Sequence, residues 1–343
     1  MTLQRPSRDT KEPPNGDHLQ PRAHRDPLDP GCAAPDPDAW PPRQLDAWNS
    51  PEMEAFRSAL RIGGGDERAG VISDLASYFE IAPDEAVRRA LHWAEWYVSE
   101  WTADERDSAA SIRDFYRTTQ ATAFDVLWYA YLQSAGQSYP VSVAIARTLK
   151  PHSAGRHHLD FGSGVGVTAQ LFQRLGYDTT LADVSNSLLA FARYRLDRRE
   201  TPAKYLDLND AALGVNAYDV ITAIDVLVHV PDLKTTIAVL HRALRPGGIL
   251  FANFDVRPQT EENVSHLYAD DLPLRWQLQR AGFEPEESLD GMITRYRRVD
   301  PAGVSHALRG ARDLALLRSP ARPAFRAAKA YLRGIARQAL ARR

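Results

Sequence analysis

The stretch His157–Leu171, HHLDFGSGVGVTAQL, decides how this chain is read. It joins a short apolar strand carrying Leu159 and Phe161, a tight turn with Gly162, Gly164 and Gly166, and the opening of a helix. Glycine lets the backbone bend and lets a ligand approach the main chain with no Cβ in the way. The helix start behind the turn offers free N–H groups and a partial positive charge. Around this stretch, from 156 to about 299, the pattern alternates strand and helix. Strands are predicted at 157–161, 178–182, 203–206, 218–224, 248–254, 282–287 and 292–298, with helices starting near Gly166, Asn186, Asp232 and Asp270. Runs such as VITAI (220–224) and ILFANF (249–254) are continuously apolar, as parallel strands covered on both faces are. The last two strands are separated only by SLDG, a hairpin-length link, so the final strand is expected to run antiparallel. The predicted fold is α/β, a doubly wound, mostly parallel seven-stranded sheet with an N-terminal helical cap.

Four segments follow from composition. Residues 1–45 hold ten of the 23 prolines and few apolar side chains to offset the entropy of ordering, so a disordered leader is expected. Residues 46–150 read as helices. Ser50-Pro51-Glu52 and Pro83-Asp84-Glu85 open two of them, a third runs from about Ser108 through Tyr131, and a fourth covers Ser138–Leu149. The second carries Val87, Leu91, Ala94, Val98 and Trp101 on one face. This region is rich in aromatics, among them Trp93, Trp96, Tyr97, Trp101, Phe115, Tyr116, Trp128, Tyr129 and Tyr131, which suits packing and also the roof of a substrate pocket. Residues 151–300 form the α/β unit. Residues 301–343 read as a basic amphipathic helical tail, able to lie on an acidic membrane surface or to cover the domain edge.

Charge is unevenly placed. The net charge is −2, yet 303–343 carries ten basic residues and one acid, leaving 32 basic and 43 acidic residues before it. A nucleic-acid-binding enzyme would place its basic surface around the active domain, so no nucleic-acid partner is expected. The single cysteine, Cys32, excludes an internal disulfide and a cysteine-based metal site. No apolar run is long enough to span a bilayer and no secretory h-region opens the chain, so a cytoplasmic location is expected.

In doubly wound sheets ligands sit at the carboxyl ends of the strands. Asp160 closes the first strand; Asp183, 21 residues beyond Gly162, closes the second, placed to accept from two ribose hydroxyls. Asp207-Leu208 closes the third, where a carboxylate can accept from an adenine amino group, and Asp225 and His229 follow the fourth. Together these acids point to a nucleoside-type ligand. A dinucleotide loop would have its third glycine at 167, where this chain has Val167, and the acid at Asp160 suits a ligand bearing an ammonium group.

DFGSGVG, Asp183, Asp207-Leu208, YDVITAIDVLVHVPD and LRPGGILFANF resemble the successive motifs of the class I S-adenosylmethionine-dependent methyltransferases, in particular the small-molecule group with an HVPD-like sequence after the fourth strand. The resemblance covers roughly 156–299. It implies a Rossmann-like fold and S-adenosyl-L-methionine as cofactor. It also implies that Asp160 with the Gly162, Gly164 and Gly166 loop holds the methionine moiety, Asp183 the ribose diol with Val184 beside the adenine, Asp207 and Leu208 flank the adenine, and Asp225 lines the pocket beneath the sulfonium. LRPGG is then the turn into the fifth strand.

The implied reaction is biosynthetic methyl transfer to O, N or C of a small or medium organic molecule. Displacement at a sulfonium needs no acid, so the protein supplies positioning and, for an acceptor that loses a proton, a base. His229 is the candidate base, because histidine ordinarily titrates near neutrality. His266 and Tyr268 are substrate-pocket candidates, as is Trp128; Tyr116 and Arg117 are placed to close over the cofactor and meet its carboxylate. The Asn/Asp-Pro-Pro-Tyr signature of nucleic-acid amino methylation is absent after the fourth strand, and no metal-binding cluster is present. Alternatives are a protein of this fold that binds the cofactor for another reaction or for binding alone, a membrane-associated enzyme of lipidic acceptors, and a nicotinamide-dependent oxidoreductase, which Val167 disfavours.

Overall fold

A computed structural model describes residues 25–29, 32, 35–149, 155–254, 256 and 264–299, with some residues between 308 and 319. Seven strands form one sheet: β1 (His157–Phe161), β2 (Asp178–Asp183), β3 (Lys204–Asp207), β4 (Tyr218–Ala223), β5 (Leu244–Ala252), β6 (Phe283–Leu289) and β7 (Ile293–Arg298). Their order is β3-β2-β1-β4-β5-β7-β6, with β1 to β5 parallel and β7 antiparallel to both neighbours. The β6–β7 link is the three residues 290–292: Asp290 and Gly291 both have positive φ (48° and 72°), and the Met292 amide donates to the Leu289 carbonyl at 2.9 Å. That is the mirror-image turn whose twist suits a hairpin.

LRPGG corrects the expected turn into the fifth strand. It lies inside β5 as a wide bulge: Tyr218 pairs with Leu244, and two residues later Val220 pairs with Ile249. Gly247, at φ 75°, permits the excursion, and Arg245 Nη1 holds it by pairing with Asp219 at 2.7 Å.

The helices before the sheet are α1 (Pro42–Trp48), α2 (Pro51–Leu60), α3 (Glu67–Tyr78), α4 (Pro83–Leu91), α5 (Trp93–Thr102), α6 (Ala109–Thr118), α7 (Ala121–Ser134) and α8 (Val141–Thr148). Those threaded through the sheet are α9 (Val167–Arg174), α10 (Asn186–Asp197), α11 (Leu233–Ala243) and α12 (Asp271–Arg280). Polar caps start many of them. Ser50 accepts from the Met53 amide, Asp66 from Ala69, Ser185 from Leu188 and Asp232 from Thr235.

Three sequence expectations are corrected here. The expected second helix is two, α4 and α5, divided at His92 (φ −110°, ψ 22°). The long third helix is also two, because Thr119 is extended and Glu100 of α5 takes the Thr119 hydroxyl at 2.7 Å and the Gln120 amide at 3.3 Å. The leader is ordered in part before residue 45. A 3-10 turn (Pro37–Ala39) precedes it and α1 spans it, with the Trp40 and Trp48 rings 4.9 Å apart. Trp40 packs on Gly136, where a Cβ would fall 2.8 Å from the indole. Residues 1–24 of the leader and the tail beyond 320 lie outside the described residues, and with the tail lies the expected membrane contact. Among the described residues no helix is long and apolar enough to cross a membrane.

Strand alternation divides the core between the two sheet faces. Val220, Ile249 and Phe251 face a cluster shared with Phe56, Leu75, Phe124 and Trp128 of the N-terminal helices. Ile221, Ala223, Leu250 and Ala252 face Leu233, Ile237 and Leu240 of α11, with Leu274 and Leu278 of α12. The N-terminal helices therefore form a layer sharing its core with one face of the sheet, with α2 and α8 packed on α9 and α3 and α6 on α10. At its far side, the Arg43 amide donates to Asp290 Oδ2 at 3.0 Å and the Arg43 guanidinium pairs with Glu287, tying α1 to the β6–β7 hairpin.

The layer is also fastened by charge. Asp74 of α3 is fully buried and accepts from Arg195 Nε (3.1 Å), Arg198 Nη1 (2.8 Å) and Arg199 Nη1 (3.1 Å), all around the end of α10. Arg195 is itself fully buried, and its remaining donors reach the Val165 carbonyl and Gln170 Oε1. Burial lowers the Arg195 pKa to about 10, so it stays charged at neutral pH. Removing one partner of a buried charge cluster strands the others. Asp74→Asn is expected to destabilise the chain by about 3–5 kcal/mol, read as a lowered midpoint in urea unfolding.

Candidate active site

The glycine turn is built from below and from the side. Gly162, Gly164 and Gly166 all lie at positive φ (68°, 51° and 76°). At Gly162 a Cβ would fall 2.4 Å from Val226 Cγ2, whereas at Gly164 nothing lies within 4 Å, leaving the main chain open to a ligand. The Gly164 amide donates to Asp183 Oδ2 and the Ser185 amide to Asp183 Oδ1, both at 2.8 Å. A carboxylate has about four acceptor positions, so Asp183 keeps capacity for further donors. Burial pushes its pKa up, opposed by the Ser185 and Gly164 amides.

Asp160 is buried, with both carboxylate oxygens bonded to the protein. Its Oδ2 accepts from the Ala169 amide of α9 (3.0 Å) and its Oδ1 from the Thr222 hydroxyl (2.8 Å). Thr222 has spent its proton on Asp160, so it accepts from His158 Nε2 (2.9 Å), and His158 Nδ1 accepts from the Thr179 hydroxyl (3.3 Å). Burial raises Asp160 to about 7 and lowers His158 to about 3, so His158 stays neutral.

Val184 and Leu208 are half-buried at the ends of β2 and β3, where Asp183 and Asp207 are paired in register. Asp207 Oδ1 accepts from the Asn209 amide (2.8 Å) and side chain (2.7 Å), and that side chain also donates to the Val184 carbonyl. The groove thus has two apolar walls and a carboxylate held by a local turn.

Beyond β4 the backbone is strained. Asp225 is exposed at φ 55°, a region costly for a non-glycine residue, and its amide donates to Asn253 Oδ1 at 2.6 Å. His229 ends a 3-10 turn (Leu227–His229), and its Nδ1 donates to the Ser265 carbonyl at 3.0 Å. A carbonyl can only accept, so Nδ1 carries a proton, and in the neutral ring Nε2 is the nitrogen with the lone pair. The His266 ring stands edge-on at 4.9 Å and the Tyr116 ring tilts over His229 at 6.0 Å. The Tyr116 and Tyr97 hydroxyls are 3.4 Å apart. Burial raises Tyr97 to about 12 and Tyr116 well above the ordinary phenol value, so both remain protonated.

The structure thus gathers Gly162, Gly164, Gly166, Asp183, Val184, Asp207, Leu208, Asp225, His229, His266 and Tyr116 along one line of strand ends, and sends three candidates elsewhere. Trp128 is fully buried in the helical layer and its indole N–H reaches the Arg25 carbonyl at 3.4 Å, so it packs the core. Arg117 is exposed and pairs with Asp114 on its own helix at 3.3 Å. The Tyr268 hydroxyl donates to the Val230 carbonyl at 2.8 Å, pinning the loop after β5. Sequence reasoning missed Asn253, Ser265 and Asn209. The signal for Asn209 was its place two residues past Asp207, the spacing at which an Asp side chain takes a main-chain amide.

Residues 159–250 match a family model described as a methyltransferase domain. Phosphoethanolamine N-methyltransferase 2 of Caenorhabditis elegans is 28% identical over 156 residues, 43% of this chain and 35% of that protein. Ubiquinone biosynthesis O-methyltransferase of Albidiferax ferrireducens is 31% identical over 102 residues, 29% of this chain and 40% of that protein. The chain spans less than half the length of these relatives. The solved structure of Haemonchus contortus phosphoethanolamine N-methyltransferase 2 with S-adenosyl-L-methionine aligns at 25% identity and a TM-score of 0.41, covering 51% of this chain and 45% of that one.

Two outcomes follow from the loop and its foundation. Gly162→Ala, which drives a Cβ into Val226 at a left-handed position, is expected to weaken ligand binding at the loop and lower the melting temperature; Gly164→Ala, with open space around it, is expected to leave the melting temperature nearer the parent value. Between about pH 4 and 7 native Asp160 holds a proton that the unfolded chain has released, so this group makes stability fall as pH rises. Between about pH 3 and 6.5 the unfolded chain binds a proton that native His158 refuses, so this group makes stability rise with pH. The two oppose each other. Urea unfolding from pH 4.5 to 6.5 should therefore show a steeper rise of stability with pH in Asp160→Asn than in the parent, by up to about 1.4 kcal/mol per pH unit.

Proposed function

We propose that the chain, whose residues 159–250 match the methyltransferase-domain model, transfers a methyl group from S-adenosylmethionine to a small organic molecule in a biosynthetic reaction. The observation that carries this reading is the junction at Asp225. There the strand ends of β1, β2 and β3 are followed by an imidazole, His229, oriented by the Ser265 carbonyl.

The residues fit the cofactor. Asp183 retains acceptor positions for ribose hydroxyls, Val184 and Leu208 offer apolar faces to a flat base, and Asp207 stands at its edge. The open backbone at Gly164 receives the amino-acid end, with Asp160 shaping the turn from below. When bound, S-adenosylmethionine supplies a methyl group activated on a sulfonium. Asp225 lines the space beneath it, and the phenols of Tyr97 and Tyr116 exclude water above. His229 Nε2, freed by the Nδ1 bond to Ser265, accepts the proton of an acceptor that must lose one. Holding the acceptor in line with the methyl supplies the remaining rate gain.

Titration calorimetry with S-adenosylhomocysteine tests this reading. Binding is expected, with Asp183→Ala weakening it about 10- to 100-fold, as the loss of hydrogen bonds to a charged group predicts. His229→Gln is expected to retain binding while lowering kcat by about 100-fold or more. Folded protein that binds no S-adenosylhomocysteine would sink the proposal.

A further inference from the structure

The last step of the β2–β3 ladder is made by a side chain. Asp183 and Asp207 are paired in register, and the Leu208 amide donates to the Asp183 carbonyl at 2.9 Å, one step past the end of β3. The chain then turns away, with the Asp210 and Ala211 amides folding back to the Asp207 carbonyl at 3.3 and 3.0 Å. That turn removes the main-chain donor that would have met the Val184 carbonyl. Asn209 Nδ2 takes its place, at 2.8 Å. Val184 and Leu208, the two apolar residues expected to flank a base, are thereby tied together beyond the end of the sheet.

The same nitrogen donates to Asp207 Oδ1 at 2.7 Å, and the Asn209 main-chain amide donates to that oxygen at 2.8 Å. A carboxamide fits its density two ways round, but a carbonyl and an ionised carboxylate only accept, so it is the nitrogen that faces both. Both Nδ2 hydrogens are therefore spent. Two donors on one oxygen fix the plane of the Asp207 carboxylate, while its Oδ2 has no hydrogen bond among the described residues. No described lysine or arginine pairs with Asp207. Arg193, which lines the same surface groove, lies over the Tyr205 ring at 4.6 Å. The end of β3 thus presents one charged acceptor whose direction Asn209 sets.

Such an edge reads the polarity of a purine. A 6-amino group donates to a carboxylate oxygen, and hydrogen bonds to charged acceptors are the stronger kind. A 6-oxo group would set acceptor against acceptor. A carboxylate free to rotate would relieve that clash by turning toward the ring N1–H of the oxo base. Discrimination therefore depends on the clamp as well as on the charge.

We propose that Asn209 is a positioning residue for base recognition: by joining the Val184 carbonyl to Asp207 Oδ1 it aims Oδ2 at an exocyclic amino group, so that the site takes a 6-aminopurine nucleoside and rejects its 6-oxo counterpart. This rests on the methyl-transfer reading, which sets the purine of S-adenosylmethionine beside Val184, Asp207 and Leu208. Asn209 acts through Asp207 and needs no contact of its own with the base.

The test is calorimetry on the full chain with S-adenosylhomocysteine and with S-inosylhomocysteine, its 6-oxo counterpart. The parent is expected to prefer the amino ligand by about tenfold or more. Asn209→Ala should cut that ratio by about threefold or more. Asn209 is exposed, so the variant is expected to fold, and its melting temperature checks this. A merely structural Asn209 would weaken both ligands by one factor and leave the ratio where it was. In an Asp207→Ala background the ratio should already be small, and adding Asn209→Ala should change it no further, because the two residues act as one unit. Equal binding of the two ligands by the parent, a ratio that survives Asn209→Ala, or an Asn209→Ala effect that is undiminished without the Asp207 carboxylate would each overturn the proposal. Failure of S-adenosylhomocysteine itself to bind folded parent protein strikes the methyl-transfer reading instead, so the two failures are told apart.

Discussion

Asp74 is where the two halves of this molecule are made mutually dependent. A carboxylate with no contact with solvent is tolerable only because three guanidinium groups surround it, and those groups are in turn tolerable only because of it. Arg195 carries the dependence further, since the same planar group that answers Asp74 also holds the Val165 carbonyl inside the glycine turn. Asp183 grips that turn from the other side through the Gly164 amide. The turn is therefore stretched between a carbonyl held inward and an amide held against β2, and its shape is fixed before any ligand arrives. The preorganisation is supplied in part by a helix some ninety residues earlier in the chain.

The site divides its chemistry by type of polar group. Main-chain donors and well-bonded carboxylates occupy the groove at β1, β2 and β3, where hydrogen bonds set orientation. Past β4 the character changes to phenols, imidazoles and carboxylates. Asp225 stands at the boundary, and its left-handed backbone is a cost the fold bears through the short hydrogen bond to Asn253.

The sheet was legible because buried parallel strands leave continuous apolar runs and the strand ends carry acids that local packing does not demand. β1 matches its predicted span and the other strands differ by a few residues at their ends, the largest change being the bulge at LRPGG. The N-terminal layer was less legible for a physical reason. Helical periodicity continues through Thr119, but the break there is imposed by Glu100 from another helix, a contact no local pattern contains. α3 escaped notice because Gly70 and the buried Asp74 interrupt its apolar face; Gly70 packs so closely on the Leu60 carbonyl that a Cβ would overlap it. Aromatic content did not separate Trp128, a fully buried core residue, from the part-exposed Tyr129, because interior and surface use the same side chains. For polar groups the two cases differ: Arg117 pairs with Asp114 three residues back on its own helix, whereas Tyr268 donates to the Val230 carbonyl, a contact no local pattern contains.

The link between Arg43 and the β6–β7 hairpin has a consequence in time. The Arg43 amide and its Asp290 acceptor are 247 positions apart. At ordinary synthesis rates the first waits roughly 10–50 s for the second to emerge. During that interval α1 has neither its hydrogen bond nor its ion pair, and the sheet still lacks the antiparallel strands that cover β5. The earliest helix of the layer is thus among the last to be secured, and the nascent chain passes through a stage in which its amino-terminal aromatics, Trp40 and Trp48, depend on Gly136 and its surroundings alone.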